Sequence, residues 1–109
     1  MKIYISGKIT GLPYEESFGQ FDLVEKLFYD FGHWPINPMK LQHDHDQSWE
    51  SYMRVDIAAL TQCDAIYLLK NWHDSKGACL EHHLANYLGI AVYFEHFTSI
   101  EEIPLLKIA

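Results

Sequence analysis

Short apolar runs alternate with longer amphipathic stretches along the chain, and this alternation restricts the fold more than any other feature. Four runs, 3–5, 33–37, 65–69 and 90–94, have the β-branched and aromatic residues of strands. The stretches between them repeat apolar residues every three or four positions, as helices that cover a sheet do. Strands that alternate with helices favour a mostly parallel sheet covered on both faces. The sequence therefore predicts a small doubly wound α/β fold, a three-layer sandwich of the flavodoxin-like or Rossmann-like type.

The first two predicted helices have clear apolar stripes. The stripe of the first contains Phe18, Phe21, Val24, Phe28 and Phe31, and that of the second contains Trp49, Met53, Ile57 and Leu60. Gly32 is a candidate C-cap of the first helix, and Ser48 is a candidate N-cap of the second. We therefore expect the first helix to close at Gly32 and the second to begin just after Ser48.

The third predicted helix carries a carboxylate where apolar residues are expected. Gly77, Glu81, Leu84 and Leu88 fall on one stripe at helical spacing, and Gly89 ends the helix. On this pattern the Glu81 side chain points toward the sheet or a cleft rather than into open water. By itself the pattern also fits a helix carboxylate that is satisfied by local hydrogen bonds.

The strand runs differ in their expected places in the sheet. Residues 65–69 form the most strand-like run and are expected at the centre, whereas Pro35 favours an edge position for 33–37. Residues 98–109 are left unassigned. Ser99 and Glu102 fit a capping box there, but Pro104 limits any helix to a turn or two.

Length and charge exclude several classes of protein. A chain of 109 residues with about half of them apolar fits one compact domain over 1–109. Eight Lys and Arg against fifteen Asp and Glu make a partner such as a nucleic-acid polymer improbable, because such binding depends on cationic contacts to phosphates. No apolar run approaches the roughly 20 residues that cross a bilayer.

Two cysteines without CxxC spacing, and no apolar signal segment at the start, predict a reduced cytoplasmic protein.

Two loops at one edge of the predicted sheet have the residues of an anion site. The loop after the first strand contains Ser6, Gly7, Lys8 and Gly11, whose N–H groups, hydroxyl and cation suit a phosphate. It is neither a Walker loop nor a full GxGxxG motif, and an ordinary glycine turn explains it as well. The third helix opens at the same edge, since ligands bind in such sheets outside the carboxyl ends of the strands.

Ser75 and Gly77 stand at the start of that third helix. Exposed N–H groups and the helix dipole favour an anion at such a position. Simple helix capping is the alternative for Ser75, and one hydroxyl can serve both purposes.

The order and spacing of these motifs resemble the nucleoside 2-deoxyribosyltransferase superfamily. The matching residues are the segment Tyr4-Ile5-Ser6-Gly7-Lys8-Ile9-Thr10-Gly11, then Asp56 ahead of Cys63-Asp64-Ala65, and then Ser75-x-Gly77-x-x-x-Glu81. The resemblance covers residues 1 to about 94. Within the superfamily the chain is similar to a small bacterial and phage branch, near the 2′-deoxynucleoside 5′-monophosphate N-glycosidases.

The resemblance implies a role for each of three residues. Glu81 matches the nucleophile that attacks the anomeric carbon, Asp56 assists proton transfer to the base or orients the site, and the Tyr4 hydroxyl hydrogen-bonds the carboxylates. A carboxylate suits this reaction because it stabilises an oxocarbenium-like transition state and can form a covalent sugar ester. A second carboxyl can protonate the departing base when the two pKa values are kept apart.

The residue six positions before Glu81 separates two branches of this superfamily. The resemblance implies an acid there in enzymes that use free nucleosides and a serine in the monophosphate hydrolases, and here it is Ser75. Ser75 with Lys8 therefore favours a nucleotide with a 5′-phosphate as the substrate. The chain departs from the hydrolases at Lys8 and Thr10, where they have serine and arginine. Its short carboxyl end also lacks an obvious match for residues that partner subunits contribute.

The leading hypothesis is therefore an N-glycosidase that hydrolyses a (deoxy)nucleoside 5′-monophosphate to free base and sugar phosphate. The alternatives are a transferase of deoxyribose between bases and a catalytically silent nucleotide-binding or sensing module. This chemistry needs no metal or organic cofactor. The resemblance implies a homodimer.

Two further features have open interpretations. Trp72, after the third strand, can stack on a base or cover the edge of the core. The segment 43–46, His-Asp-His-Asp, has the residue types of a metal site, but adjacent acids and histidines in a loop are more often solvated. We expect no metal there.

Overall fold

The computed structural model describes residues 1–43 and 46–107, which form a parallel sheet with helices on both faces. Its strands are β1 (Lys2–Ser6), β2 (Trp34–Ile36), β3 (Ala65–Leu68) and β4 (Ala91–Phe94), and its helices are α1 (Tyr14–Asp30), α2 (Trp49–Leu60) and α3 (Lys76–Tyr87). Within the described residues the strand order is β2-β1-β3-β4, and all pairs are parallel. The predicted α/β fold is confirmed.

Strands β1 and β3 lie at the centre of the sheet and pair with each other over Ile3–Ser6 and Ala65–Leu68. Strand β2 pairs with β1 on one side, and β4 pairs with β3 on the other. The edge position predicted from Pro35 and the central position predicted for 65–69 are therefore confirmed. From β1 the chain passes to β2 on one side, and it then crosses to β3 and β4 on the other side. Open α/β sheets bind ligands at such a switch point, which here lies between the carboxyl ends of β1 and β3.

Strand β1 sends alternate side chains to the two faces of the sheet. Ile3 and Ile5 belong to an apolar cluster with Phe21, Val24 and Phe28 of α1, and we call this side the α1 face. Tyr4 belongs to a second cluster with Leu60, Ala78 and Ala85 from α2 and α3, and we call this side the α2–α3 face. The period-2 geometry of a strand thus divides one short segment between two cores.

Two details of the predicted helices are wrong. Phe31 follows the last residue of α1 as its C-cap and is exposed, so it does not extend the buried stripe. In α3 the buried positions are Ala78, Glu81 and Ala85, whereas Leu88 lies past the helix and is 56% exposed. The prediction that Glu81 faces inward holds, but the stripe around it consists of alanines.

The segment after β4 completes the α1 face. Ser99 and Glu102 bracket a 3₁₀ turn at Ile100–Glu102, and the Glu102 carboxylate accepts hydrogen bonds from the Ser99 hydroxyl and N–H. Ile100 and Ile103 pack into the α1-face cluster. No helix within the described ranges is long and apolar enough to cross a membrane.

Candidate active site

A cleft of about 840 Å³ opens at the carboxyl ends of the strands, above the α2–α3 face. The loops after β1 and β2 and the first turns of α2 and α3 form its walls. Its lining includes Tyr4, Gly7, Ile9, Thr10, Tyr14, Pro38, Met39, His43, Gln47, Trp49, Tyr52, Met53, Asp56, Asp74, Ser75, Lys76, Gly77, Ala78 and Glu81. All three residues predicted to be catalytic are in this set.

The Glu81 carboxylate lies at the floor of the cleft and is held on both oxygens. The Tyr4 hydroxyl donates to Oε2 at 2.5 Å, and the Ser6 hydroxyl donates to Oε1 at 2.8 Å. Only 5% of the Glu81 surface is exposed. Because both donors stand on β1 and the acceptor stands on α3, the sheet itself fixes the direction of the carboxylate.

Burial changes the proton affinity of this group strongly. It raises the pKa of the Glu81 carboxyl to about 7, although the hydrogen bonds from Tyr4 and Ser6 lower it, and the negative charge of Asp56 adds to the rise. Burial, followed by the charges of Glu81 and Asp56, also raises the pKa of the Tyr4 hydroxyl well above its ordinary value. Tyr4 therefore keeps its proton as a donor, and Glu81 is partly ionised near neutral pH.

Asp56 is a second buried carboxylate on the same cleft, supplied by the inward side of α2. Its Oδ1 lies 2.9 Å from Nε2 of His43, and both side chains are 12% exposed. The His43 ring also packs on Tyr52, with ring centres 4.7 Å apart. The expectation that His43 is solvated is therefore wrong. Asp44 and His45 of the same predicted loop lie outside the described residues.

The first turn of α3 forms the opposite wall. Ser75 is its N-cap, and the Ser75 hydroxyl accepts a hydrogen bond from the N–H of Ala78. A Cβ on Gly77 would lie 3.1 Å from Sδ of Met53, so glycine allows α2 and α3 to approach closely here. Capping and cleft lining coincide at Ser75, as the sequence suggested.

Lys76 and Trp49 meet at this wall. Nζ of Lys76 lies 3.9 Å from the ring centre of Trp49, which is within the range of a cation–π interaction. Both residues line the cleft. Sequence reasoning did not identify Lys76 as a site residue, and it treated Trp49 as a packing residue only.

The residues predicted to bind phosphate divide into two groups. Gly7, Ser75 and Gly77 line the cleft, whereas Ser6, Lys8 and Gly11 are not among the described residues that line it. The Ser6 hydroxyl is directed to Glu81 instead, because Ser6 is the last residue of a buried strand. Gly7 lies so close to Leu69 that a Cβ there would meet its Cδ1 at 2.9 Å. The loop after β1 is thus fixed by packing.

Trp72 is also not among the described residues that line the cleft. Its ring packs against His82, with ring centres 4.6 Å apart, and against Phe94 at 5.6 Å. This placement favours the interpretation of Trp72 as cover for the edge of the core over stacking on a base. Among the described residues, Tyr4, Tyr14, Trp49 and Tyr52 supply the Tyr and Trp rings that line the cleft.

Comparison with known proteins agrees with this architecture. Residues 1–94 match the family described as a domain of unknown function, DUF4406. A 2-deoxyribosyltransferase from the psychrotolerant bacterium Bacillus psychrosaccharolyticus superposes with a TM-score of 0.67 at 21% identity, over 86% of this chain and 71% of that one. A 2-desoxiribosyltransferase from Leishmania mexicana superposes with a TM-score of 0.66 at 20% identity, over 85% of this chain.

At the level of the fold the predicted resemblance is confirmed, since the chain shares the fold of these two 2-deoxyribosyltransferases. The chain spans only 62% of the length of the Leishmania protein. No curated protein sequence matches the chain significantly.

Proposed function

The chain belongs to the DUF4406 family, and from this premise we propose that it is an enzyme that breaks the N-glycosidic bond of a 2′-deoxynucleoside 5′-monophosphate. The products are the free base and the sugar phosphate. One observation carries the proposal: the buried Glu81 carboxylate at the floor of the cleft, held on both oxygens by Tyr4 and Ser6.

Glu81 acts as the nucleophile in this proposal. One of its oxygens bonds to C1′ of the sugar as the bond from C1′ to the base nitrogen breaks, which gives a sugar ester and avoids a free oxocarbenium ion. Fixed donors reduce the number of orientations that the carboxylate has to lose before attack. The Tyr4 and Ser6 hydroxyls supply those donors.

Asp56 supplies the proton that the departing base needs. The interaction of its charge with Glu81 means that ionising one carboxyl makes ionising the other harder. Two carboxyls with separated proton affinities are what a nucleophile and a general acid require.

The first turn of α3 is the proposed site for the 5′-phosphate. Its N-terminal N–H groups and helix dipole favour an anion, and Lys76 adds a cation on the cleft. Asp74 lines the same end of the cleft and opposes binding, so Lys76 has to compensate its charge. Lys76 thus replaces Lys8 as the phosphate cation in this proposal.

Deoxyribosyl transfer between bases is the second candidate function. Two neighbours in fold are 2-deoxyribosyltransferases, and this observation favours it. The two reactions share the ester on Glu81 and differ only in whether water or a second base attacks it. A silent nucleotide-binding module is the third possibility, and it requires binding without turnover.

We also propose that the protein is a homodimer, as the sequence resemblance implies. Leu23 and Leu27 lie one turn apart on α1 and are both exposed, so they offer an apolar contact between copies. Sedimentation equilibrium tests this, and a mass of one chain across the accessible concentration range would overturn it.

Base release from matched deoxynucleosides and their 5′-monophosphates, with and without an added acceptor base, tests the proposed reaction. We expect chromatography to show release from monophosphates alone and loss of release in Glu81→Ala. Release that requires the acceptor base would assign transfer, and tight binding without release would assign the binding module. Glu101→Gln is the matched control, because Glu101 is exposed and lies outside the cleft.

Substitution of Lys76 tests the proposed phosphate site independently of the proposed reaction. Lys76→Met is expected to raise KM for the monophosphate about tenfold, the value of one charge-assisted hydrogen bond, while KM for a nucleoside stays constant. The same selective rise in Lys8→Met instead would restore the prediction from sequence.

A further inference from the structure

His43 has a position in the cleft that the proposed reaction does not yet use. It lies in the loop ahead of α2, thirteen residues before Asp56, and its Nε2 is 2.9 Å from Asp56 Oδ1. The two side chains are each only 12% exposed, and the Tyr52 ring packs against the imidazole. A buried, packed contact of this length fixes both partners.

A hydrogen bond to one carboxyl oxygen decides what the other oxygen can do. When Nε2–H of His43 donates to Oδ1, the acidic proton of Asp56 is carried on Oδ2. The same bond stabilises the carboxylate that remains after the proton has left, since a bond to an ionised acceptor is stronger.

We propose that His43 is a positioning residue that holds Asp56 with its acidic proton directed at the leaving base. This inference rests on the proposed function, because it assigns a part in the same reaction. In the first step Glu81 bonds to C1′, the electrons of the C1′–N bond pass to the base, and the Asp56 proton goes to the base nitrogen. In the second step water bonds to C1′, the ester bond to Glu81 breaks, and the proton of the water returns to Asp56.

The leaving group provides the test, because a base that departs without needing a proton does not need Asp56 or His43. An N7-methylated purine leaves as a neutral molecule, and a 5-fluorinated pyrimidine leaves more readily as an anion. Base release by wild type, His43→Ala, His43→Gln and Asp56→Asn is measured on the ordinary nucleotide and on its activated form.

On the ordinary nucleotide, we expect His43→Ala to lower kcat about 10- to 100-fold with KM within about twofold, as for a partial loss of general acid catalysis. On the activated nucleotide, the first step, measured as base release in a single turnover, should return to within a few-fold of wild type in His43→Ala and Asp56→Asn, because only the second step still uses Asp56. His43→Gln should recover part of the loss on the ordinary nucleotide, since its amide can donate to the same oxygen.

Two results would overturn the role of His43. One is an equal loss of the single-turnover rate of base release on both substrates, which would indicate a structural role only, and the other is an unchanged kcat in His43→Ala on the ordinary nucleotide. His73→Ala is the matched control, because His73 lies 3.8 Å from Asp74 in an exposed histidine–aspartate pair and does not line the cleft. Failure of the proposed function is a separate result, since wild type would then release no base from either substrate.

Discussion

The two faces of the sheet bury side chains to a similar depth but differ in what they bury. The α1 face joins Ile3 and Ile5 to the aromatic and aliphatic stripe of α1. The α2–α3 face buries the carboxylates of Glu81 and Asp56 beside an apolar cluster. Burying a carboxylate costs free energy, and burying apolar surface stabilises the fold. The difference indicates that the α1 face contributes mainly stability, whereas the α2–α3 face also holds the two carboxylates of the proposed reaction.

Glu81→Gln should give the largest effect, with opposite signs for activity and stability. Glutamine keeps the size of the side chain and removes the proposed nucleophile, so we expect kcat/KM to fall at least about 10⁴-fold, or about 5 kcal/mol of barrier. Steady-state base release measures the loss. A fall of less than tenfold would mean that Glu81 is not the nucleophile. The free energy of unfolding of Glu81→Gln at pH 8 should rise, because the variant no longer buries an ionised carboxylate.

Phe28→Ala should have the reverse profile. Phe28 is fully buried on the α1 face and packs edge-on against Tyr67, with ring centres 5.1 Å apart. Truncation is expected to lower the free energy of unfolding by about 3–5 kcal/mol, because it removes apolar contacts and leaves a cavity. Urea denaturation measures this change. The kcat/KM of the folded fraction should stay within about twofold of wild type, and a larger fall would contradict the separation of the two faces.

The pH dependence of stability should reveal the buried acid directly. The folded pKa of Glu81 is about 7, above its value of 4.5 in an unfolded chain, so the folded state holds a proton that the unfolded state has lost. The contribution of Glu81 therefore falls as pH rises from about 4.5 to 7, by about 3 kcal/mol in total.

Urea denaturation of wild type and Glu81→Gln across pH 4 to 8 measures that contribution. The two curves should meet near pH 4 and separate as pH rises, with the variant the more stable. Parallel curves would show that burial does not perturb Glu81.

Trp72→Phe should have the smallest effect. Trp72 lies at the edge of the α2–α3 face against His82 and Phe94, so we expect at most about 1 kcal/mol of lost stability and no change in KM beyond about twofold. Thermal unfolding and steady-state kinetics measure the two quantities. A tenfold rise in KM would instead support stacking of Trp72 on the base.

Much of the fold follows from local sequence. Pro35 at an edge, the apolar run 65–69 and the N-cap Ser48 each depend on neighbours in the chain, and each prediction agrees with the structure. The face of α3 that packs on the sheet was harder to predict from sequence, because Leu88 is more hydrophobic than Ala78 or Ala85 and yet is exposed. Alanines allow the helix to lie close to the sheet, and that requirement becomes visible only when both elements are in place.

The site was predictable only in part. Glu81, Asp56 and Tyr4 were identified through a family resemblance, and the structure brings all three to one cleft. Lys8 was predicted to bind the phosphate and Lys76 was missed, because the path of a loop decides which lysine reaches a cleft. The contact between His43 and Asp56 likewise depends on how the intervening chain folds back, for which periodicity gives no signal.

Strand β1 has a consequence for how the site is assembled. The two hydroxyls that hold Glu81 stand on a strand that is hydrogen-bonded to a neighbour on each side. The backbone that carries those donors can move away from Glu81 only if the centre of the sheet opens, and such openings are among the rarest in a folded protein. The Glu81 carboxylate is therefore placed once, during folding, and the substrate of the proposed reaction would meet a carboxylate that has already lost much of its ordering entropy.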